Sequence, residues 1–454
     1  MNIDGLASGL KTKEVIDALM SVAAIPKTLV TNKITDRTTI ISNLQSVNTS
    51  LQSLADKAKT AASATSLARF TATSSADAVT VTASDKARVF STAVVVDTLA
   101  VAHAVVTAPG AADAFGGPFM LVAADGTATE ISPTGSAPGD LVAAINAAGA
   151  GVTATVVPGG RGVDGQPLSR VQITASTTGA DAAFTLHRGS AADVAAGTGP
   201  DVATEAGAAI VAQGTDAVIR LFAGTAAEQK VTSSTNTFTG IGEGIDVTVR
   251  AVSAQPVTIT VAADPKAQSD TAAAFVKDIA ALLTRIDNGS KATVAAPGAA
   301  TTLGVFTGDS TVRALRGALA GAVQSPVDGI SPSTIGIRVD KAGTLTFDQD
   351  AFTAAMTADP ARTQAVFSAV SDRVQAATAQ YSDKYDGLLT QRITGQQTEV
   401  KTLQQQVERM DLRLDMRRAT LERTYSAMEV RLSGLQSQSS WLTSQLAALT
   451  PSSK

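Results

Sequence analysis

Histidine is the residue type best suited to acid–base or metal chemistry, and this sequence contains only two, His103 and His187. Imidazole titrates near neutral pH and is the commonest nitrogen ligand of metals, but a working site needs partners beside it. The two histidines lie far apart in the sequence, each in a segment whose alternating pattern predicts a strand. There is no cysteine, which excludes disulfide bonds, thiolate metal sites and cysteine nucleophiles. We therefore expect structural roles for both histidines.

Two other patterns resemble ligand-binding motifs but have the wrong surroundings. Residues 240–244 (GIGEG) precede a strand pattern, whereas a dinucleotide-binding loop must precede a helix. The aspartates Asp340, Asp348 and Asp350 do not have the spacing of a calcium-binding loop, so we expect turn and helix-capping roles for them. The sequence therefore predicts no catalytic, cofactor-binding or metal-binding residue, and a protein that is not an enzyme.

The composition narrows the class of protein further. The chain has 454 residues, which suits about three domains. Its hydrophobic fraction of 44% includes 84 alanines, and only 17% of its residues are charged. The net charge of -4 argues against nucleic-acid binding. No apolar run is long enough for a membrane span, and the N-terminus lacks the pattern of a cleavable secretory signal. By themselves these features indicate a cytoplasmic protein, while leaving open export on an uncleaved N-terminus.

The C-terminal part has an apolar residue at every seventh position from 400 to 449. A strict seven-residue repeat keeps one stripe of a helix turned toward a partner, which is the geometry of a coiled coil. We predict a helix from about residue 390 to 449, roughly 90 Å long at 1.5 Å per residue. Such a helix needs a partner, because a long amphipathic helix is stabilised mainly by packing.

The N-terminal part can supply that partner. Apolar residues recur at three- and four-residue spacings between Leu19 and Ala58, and Thr12 is a candidate N-cap. Pro26 interrupts the pattern, so we predict two helices, about 12–24 and 27–60, with a break between them. The core of an ordinary helical bundle is the alternative to pairing of the chain ends or oligomerisation.

The predicted last helix changes in charge along its length. We interpret its arginines as a solvated or subunit-facing flank, with a docking strip as the alternative: Arg409, Arg413, Arg417, Arg418 and Arg423. Residues 432–453 carry no charge at all. Because exposed helices normally use charge for solubility, we expect this tip to be buried in an assembly.

Between the two ends, β-branched runs bounded by turn residues predict strands from 70 to about 261, with one short helix at 141–146. After this region the sequence predicts three helices, at 268–288, 309–324 and 350–380. Between the last two helices it predicts a hairpin at 335–347.

We therefore predict an α+β fold. Long antiparallel, coiled-coil-like terminal helices are joined to a helix-and-strand domain and to one or two inserted β-rich lobes. The predicted division is 1–60 with 388–454 for the terminal helices, 61–97 with 262–387 for the mixed α/β domain, and 98–261 for the β-rich insertion, with 109–205 as its inner part.

Several segments carry more specific motifs. They are 3–10 (IDGLASGL), 16–20 (IDALM) with Pro26, 303–316 (LGVFTGDSTVRALR), the hairpin 335–347, and 432–442 (LSGLQSQSSWL). In this order they resemble the flagellar filament cap family, hook-associated protein 2. Residues 143–157 resemble an inserted motif shared with flagellins.

The resemblance implies a non-enzymatic, extracellular protein at the tip of the bacterial flagellar filament, exported by the flagellar type III apparatus without a cleaved signal peptide. It implies a homo-oligomeric ring of five or six subunits that promotes the folding and polymerisation of flagellin. An export chaperone would bind the chain before secretion. The resemblance implies no cofactor, no nucleic acid and no membrane insertion.

We assign the apolar residues of both chain ends to self-association. They are Ile3, Leu6, Leu10, Leu19, Val22, Ile41, Leu44, Leu51, Leu54, Val400, Leu403, Val407, Met410, Leu414, Leu421, Met428, Leu432, Leu435, Leu442, Leu446 and Leu449.

Two other functions stay open at this point. The first is a structural subunit of the filament or its junction, flagellin-like or another hook-associated protein, which would polymerise helically. The second is a surface adhesin whose β-rich head binds host glycan or mucin.

Overall fold

The structure, a computed structural model, describes residues 9, 11–294, 300–341 and 343–449. Its α-helices are α1 Thr12–Ala61, α2 Pro138–Ala148, α3 Ala191–Ala195, α4 Pro265–Ser290, α5 Ser310–Gln324, α6 Gln349–Ala358, α7 Pro360–Ser382 and α8 Leu388–Leu449. Its strands up to the first long insertion are β1 Phe70–Ser74, β2 Val79–Ala83, β3 Phe90–Thr98, β4 Ala104–Val106, β5 Phe119–Ala123, β6 Ala128–Ile131, β7 Val152–Arg161, β8 Pro167–Ala175, β9 Phe184–Arg188 and β10 Ala209–Ala212. The remaining strands are β11 Ala217–Leu221, β12 Gln229–Ser233, β13 Thr237–Gly242, β14 Ile245–Val249, β15 Ser253–Ala263, β16 Ala292–Thr293, β17 Thr302–Leu303, β18 Ile337–Val339 and β19 Leu345–Phe347.

The chain forms two compact units. One contains the chain up to Ser66 and from Ser269 onward, and the other is Leu67–Gln268. The α+β class predicted from the sequence is confirmed by this mixture of long helices and antiparallel sheets. The finer three-part division of the sequence stays a prediction.

In the first unit α1 packs along both α7 and α8, and α5 and α6 pack on α7. The core is built from apolar residues at helical spacing. Among them, Leu44, Val47 and Leu51 of α1 and Val370 and Val374 of α7 are completely buried. Removing such side chains from water is the main stabilising contribution to helices of this length.

Helix α1 is continuous from Thr12 to Ala61 with Pro26 inside it, so the predicted break at this proline is wrong. Proline removes one backbone hydrogen bond and crowds the preceding turn. Pro26 is exposed, where the unpaired carbonyl can bond to water. Lys27, directly after the proline, forms an ion pair with Asp411 of α8, and Asp17, before the proline, forms one with Arg418. These pairs hold α1 against α8 on both sides of the proline.

The predicted helix 350–380 is instead two helices, because α6 ends at Ala358 and α7 begins at Pro360. Asp359 between them accepts a hydrogen bond from the backbone N–H of Arg362 at 3.0 Å, which caps α7. Proline is well suited to the first position of a helix, since its missing N–H would have no partner there.

The other predicted elements of this unit are present. Asp309 caps α5 by accepting from the backbone N–H groups of Thr311 and Val312. The predicted hairpin is formed by β18 and β19, which pair antiparallel with Ile337 opposite Phe347. Helix α8 extends over 388–449, close to the predicted range.

The second unit contains two β-rich lobes, each with its own apolar core. The first lobe has a five-stranded sheet, β1-β15-β3-β11-β12, and a three-stranded sheet, β13-β14-β2, packed around Val94, Ile219 and Ile259. The second lobe has a four-stranded sheet, β10-β4-β8-β7, and a three-stranded sheet, β6-β5-β9, packed with α2 around Leu141 and Ile173.

The second lobe is inserted into the first between β3 and β11. The chain leaves and returns side by side, because Val101 and Thr215 form an isolated antiparallel bridge with N–H···O distances of 3.0 and 3.2 Å. The side chain of Thr98 donates to the carbonyl of Asp216 at 3.0 Å beside this bridge. The two crossing segments are therefore tied together where the lobes meet.

Candidate assembly interface

The two histidines take part in the packing of the second lobe. His103 is only 3% exposed, and its Nδ1 accepts a hydrogen bond from the backbone N–H of Gly214 at 3.2 Å. Its ring lies edge-on to Phe184, with centroids 5.0 Å apart. Burial lowers the pKa of the His103 imidazole, because the charged form loses its hydration. His187 lies on β9, 3.1 Å from the carbonyl oxygen of Gly199.

The predicted turn and capping roles are confirmed for Asp340 and Asp348, and Asp350 lies in the first turn of α6. Asp348 caps α6 by accepting from the N–H of Ala351 at 3.0 Å, and Asp340 accepts from the N–H of Thr344 at 2.8 Å. Residues 240–244 contain the end of β13 and the turn at 243–244 that joins it to the antiparallel strand β14, in agreement with the predicted turn. Among the described residues, no group of three or more His, Asp or Glu side chains is arranged to hold a metal ion.

In the described part of the chain, α1 and α8 pack along each other, and we call these two helices the terminal helix pair. Buried or half-buried positions of α1 recur at alternating spacings of four and three from Ile16 to Leu44, and those of α8 do so from Ile393 to Leu414. This is the spacing of two helices packed along a common seam. The seam encloses most of the apolar residues that the seven-residue repeat singled out.

Ion pairs across the seam show that the helices are antiparallel. From one end to the other they are Asp17 with Arg418, Lys27 with Asp411, and Arg37 with Glu399, the last at 3.2 Å. Hydrogen bonds from Lys13 and Arg418 hold the pKa of the Asp17 carboxyl below its ordinary value. Because these ion pairs are substantially exposed, they add little to the stability of the helix pair, but they define the register of the two helices.

The residues assigned to self-association fall into three groups. The first group has covered side chains: Ile41, Leu44, Leu51 and Leu54 are buried, and Val400, Leu403, Val407, Met410, Leu414, Leu421, Met428 and Leu432 are half-buried. Those with exposed side chains are Leu19, Val22, Leu435, Leu442 and Leu446. Ile3, Leu6 and Leu10 lie outside the described residues, and Leu449 is the last residue of α8. Only the second group is a described surface open to another molecule, and a role in self-association stays a prediction for all of them.

Sequence reasoning missed part of a second apolar row on α1. Val15, Leu19, Val22 and Leu29 are 37%, 40%, 65% and 61% exposed, and they lie on one flank of the inner seam. The signal was present, because Val15, Val22 and Leu29 repeat at intervals of seven. A row of exposed aliphatic side chains on a helix already packed on its inner side is typical of an interaction surface.

Charged side chains border this row. Arg413 and Arg417 of α8 line a groove of about 270 Å³ together with Ala23 and Pro26 of α1. Neither arginine forms an ion pair with any carboxylate in the part of the chain that the structure describes. The groove therefore combines apolar side chains with two guanidinium groups that have no carboxylate partner in the described part of the chain.

Within the described ranges, no helix combines the length and the apolar character needed to cross a bilayer.

The fold defines a class of protein. The chain is similar to the D1-D2-D3 domains of the flagellar cap protein FliD from Escherichia coli, with a TM-score of 0.61 and 20% identity over 78% of this chain and 99% of that one. At this identity the similarity shows a shared fold, that of a flagellar cap protein.

Sequence comparison identifies the family. The family model for the flagellar hook-associated protein 2 N-terminus matches residues 8–103, and the model for its C-terminus matches residues 214–437. The two matches together cover more than two thirds of the chain, which belongs to the flagellar hook-associated protein 2 family. A curated relative, the lateral flagellar hook-associated protein 2 of Vibrio parahaemolyticus, is 26% identical over 193 residues. That match spans 41% of this chain and 42% of the relative.

Proposed function

We propose that this chain caps the bacterial flagellar filament, where copies of it form a ring at the tip and promote the folding and insertion of flagellin. Membership of the hook-associated protein 2 family supports the location at the filament tip. The observation that carries the assembly role is the exposed aliphatic row of α1, since a helix pair that has buried its inner seam still presents Val15, Val22 and Leu29 to a partner.

The proposed mechanism is structural and involves no bond-making chemistry. The terminal helix pairs of neighbouring subunits pack against one another and against the filament end, and they reorder as each flagellin passes. Helices of this kind depend on packing for their stability, so a change of neighbours can change their order. We propose a ring of five or six copies.

The proposed route to the cell exterior is export by the flagellar apparatus without a cleaved signal peptide. Before export, the exposed aliphatic side chains of α1 would promote aggregation. We therefore infer that a chaperone covers this surface inside the cell.

The test is complementation of a bacterium that lacks its own cap protein. We expect the full chain to restore long filaments, and a chain without residues 1–40 to release unpolymerised flagellin into the medium. That truncation removes the exposed row together with the α1 side of the seam from Ile16 to Arg37, and it keeps Ile41, Leu44, Leu51 and Leu54, which are buried. Filament length by electron microscopy and flagellin in the culture fluid are the readouts, at matched export levels of both chains.

Normal filaments from the truncated chain would contradict the role of the helix pair. Helical polymers of the purified full chain would favour a filament or junction subunit instead. Binding of the 98–261 fragment to a glycan array, without restored filaments, would favour an adhesin.

A further inference from the structure

We propose that neighbouring copies of this chain associate head to tail through two opposite and electrostatically complementary faces of the terminal helix pair. This inference rests on the proposed function only in taking a second copy as the partner. The first face, which we call the aliphatic–arginine face, consists of Val15, Leu19, Val22 and Leu29 of α1 with Arg409, Arg413 and Arg417 of α8. The second, the carboxylate face, consists of Glu408, Asp415 and Glu422 of α8.

The aliphatic–arginine face is a single continuous surface contributed by both helices. Pro26 and Arg413 line the same groove, which places them on one side of the seam. At about 100° per residue, Val22 and Leu29 lie on the same side of α1 as Pro26. The exposed aliphatic row and the arginines of α8 therefore lie on the same side of the terminal helix pair.

The carboxylate face lies on the opposite side. Glu408, Asp415 and Glu422 repeat at intervals of seven, so they form one row along α8. At about 100° per residue this row and Arg413 lie on opposite sides of the half-buried stripe that contains Met410 and Leu414. All three carboxylates are exposed, and among the described residues Glu408 and Asp415 form no ion pair, while Glu422 contacts Arg418 of the same helix at 3.2 Å.

The separation of opposite charges onto opposite sides selects a second copy as the partner. Two aliphatic–arginine faces would repel each other, as would two carboxylate faces, which disfavours a two-fold contact. One face of each kind attracts, and a contact between two different faces of identical chains repeats from copy to copy. Such a contact closes into a ring when the rotation between copies allows it.

The hydrophobic part of the contact comes from the aliphatic row. Val22 and Leu29 of this row are 65% and 61% exposed. The arginines of α8 on the same side of the helix pair supply the ion pairs with the carboxylates of a neighbouring copy. The contact therefore combines apolar side chains with ion pairs, the usual organisation of a specific interface.

The test reverses the charge of each face separately in the full-length protein. One variant carries Arg413→Glu with Arg417→Glu, and the other carries Glu408→Arg with Asp415→Arg. Each variant alone presents two faces of the same sign, so its association should weaken at least about tenfold. An equimolar mixture should assemble again, since each face of one variant then matches the opposite face of the other. Sedimentation velocity and mass photometry measure the assemblies.

A matched control is Arg362→Glu, an exposed charge reversal on α7 of the same unit, which should leave association unchanged. Circular dichroism of each variant must show unchanged helix content, so that a lost contact is separated from lost folding. Raising the ionic strength to about 1 M, where the Debye length is about 3 Å, should weaken the wild-type assembly in the same way.

Two results separate the failure of this inference from the failure of the proposed function. Unchanged assembly of both charge-reversed chains, or no recovery in their mixture, would overturn the head-to-tail contact and leave the cap function standing. A wild-type chain that stays monomeric at every concentration and also fails to restore filaments would overturn both.

Discussion

His103 illustrates how one buried residue can make the stability of a lobe depend on pH. Its Nδ1 accepts a hydrogen bond from Gly214, so protonation of that nitrogen removes the acceptor. Its pKa is lowered in the folded protein, chiefly by burial. The unfolded chain therefore takes up the proton first as the pH falls below about 6.5.

We predict that the contribution of His103 to stability is present above about pH 6.5 and is lost as the pH falls from there toward the lowered pKa. The melting temperature of the full chain, measured between about pH 7.5 and 5, should fall more in the wild type than in a His103→Gln variant. Glutamine retains hydrogen-bonding groups but does not titrate. Parallel pH profiles of the two proteins would show that His103 does not contribute.

At the scale of single elements, two prolines affect their helices differently, because Pro26 lies inside a continuous helix and Pro360 begins a new one. The sequence pattern predicted a break at Pro26 and none at Pro360, and the structure has the reverse. Asp359 precedes Pro360 and caps the new helix with its carboxylate. Ile25 precedes Pro26 and cannot cap, while ion pairs with α8 hold the helix on both sides. The residue before a proline and the contacts around it thus decide between a new helix and a tolerated irregularity.

We predict that Pro26→Ala stabilises α1, because it restores one backbone hydrogen bond and removes a steric clash. The gain should be about 1–3 kcal/mol, part of which is offset by the greater freedom of the unfolded chain. Thermal unfolding followed by circular dichroism at 222 nm would measure it. The matched control is Ala24→Pro on the same helix, which should cost about 3 kcal/mol. A Pro26→Ala protein that is less stable than the wild type would contradict this prediction, because it would show that α1 needs the backbone geometry that proline imposes at this position.

The seven-residue repeat predicted the terminal helices well but not which of their faces are covered. Periodicity identifies apolar stripes, and α1 has two of them, one inside the seam and one exposed. Only tertiary packing decides which stripe is buried, and that depends on the ion pairs that set the register with α8. For this reason Leu19 and Val22 were assigned together with Leu44, although the first two are exposed and the last is buried.

At the scale of the whole molecule, the two compact units differ in how their chain segments are connected. The first unit joins segments from both ends of the chain, whereas the second is the continuous stretch Leu67–Gln268. Strands and turns in that stretch were predictable from alternation and β-branched residues. The order of the strands in the sheets was not predictable, because strands that are far apart in the sequence pair with each other. For example, β1 near the start of this stretch pairs with β15 near its end.

We predict that the isolated fragment 67–268 folds cooperatively, because both of its apolar cores, around Val94 with Ile219 and around Leu141 with Ile173, are made from its own residues. Amide exchange of the fragment should show protected strands in both lobes. A fragment ending at residue 240 is the control, because it lacks β14 and β15 of the first lobe but keeps every strand of the second. The strands of the first lobe should lose protection in it, and those of the second lobe should keep theirs. Lack of protection in the longer fragment would show that its stability comes from the rest of the chain.

The bridge between Val101 and Thr215 has a practical consequence. Chain entry and exit are adjacent there, so the stretch between them can change in length or content while the surrounding sheet keeps its register. The position is thus a graft point, where a short turn or a foreign domain with neighbouring termini can replace the second lobe. A flagellum carrying such a chain would display the foreign domain at its growing end.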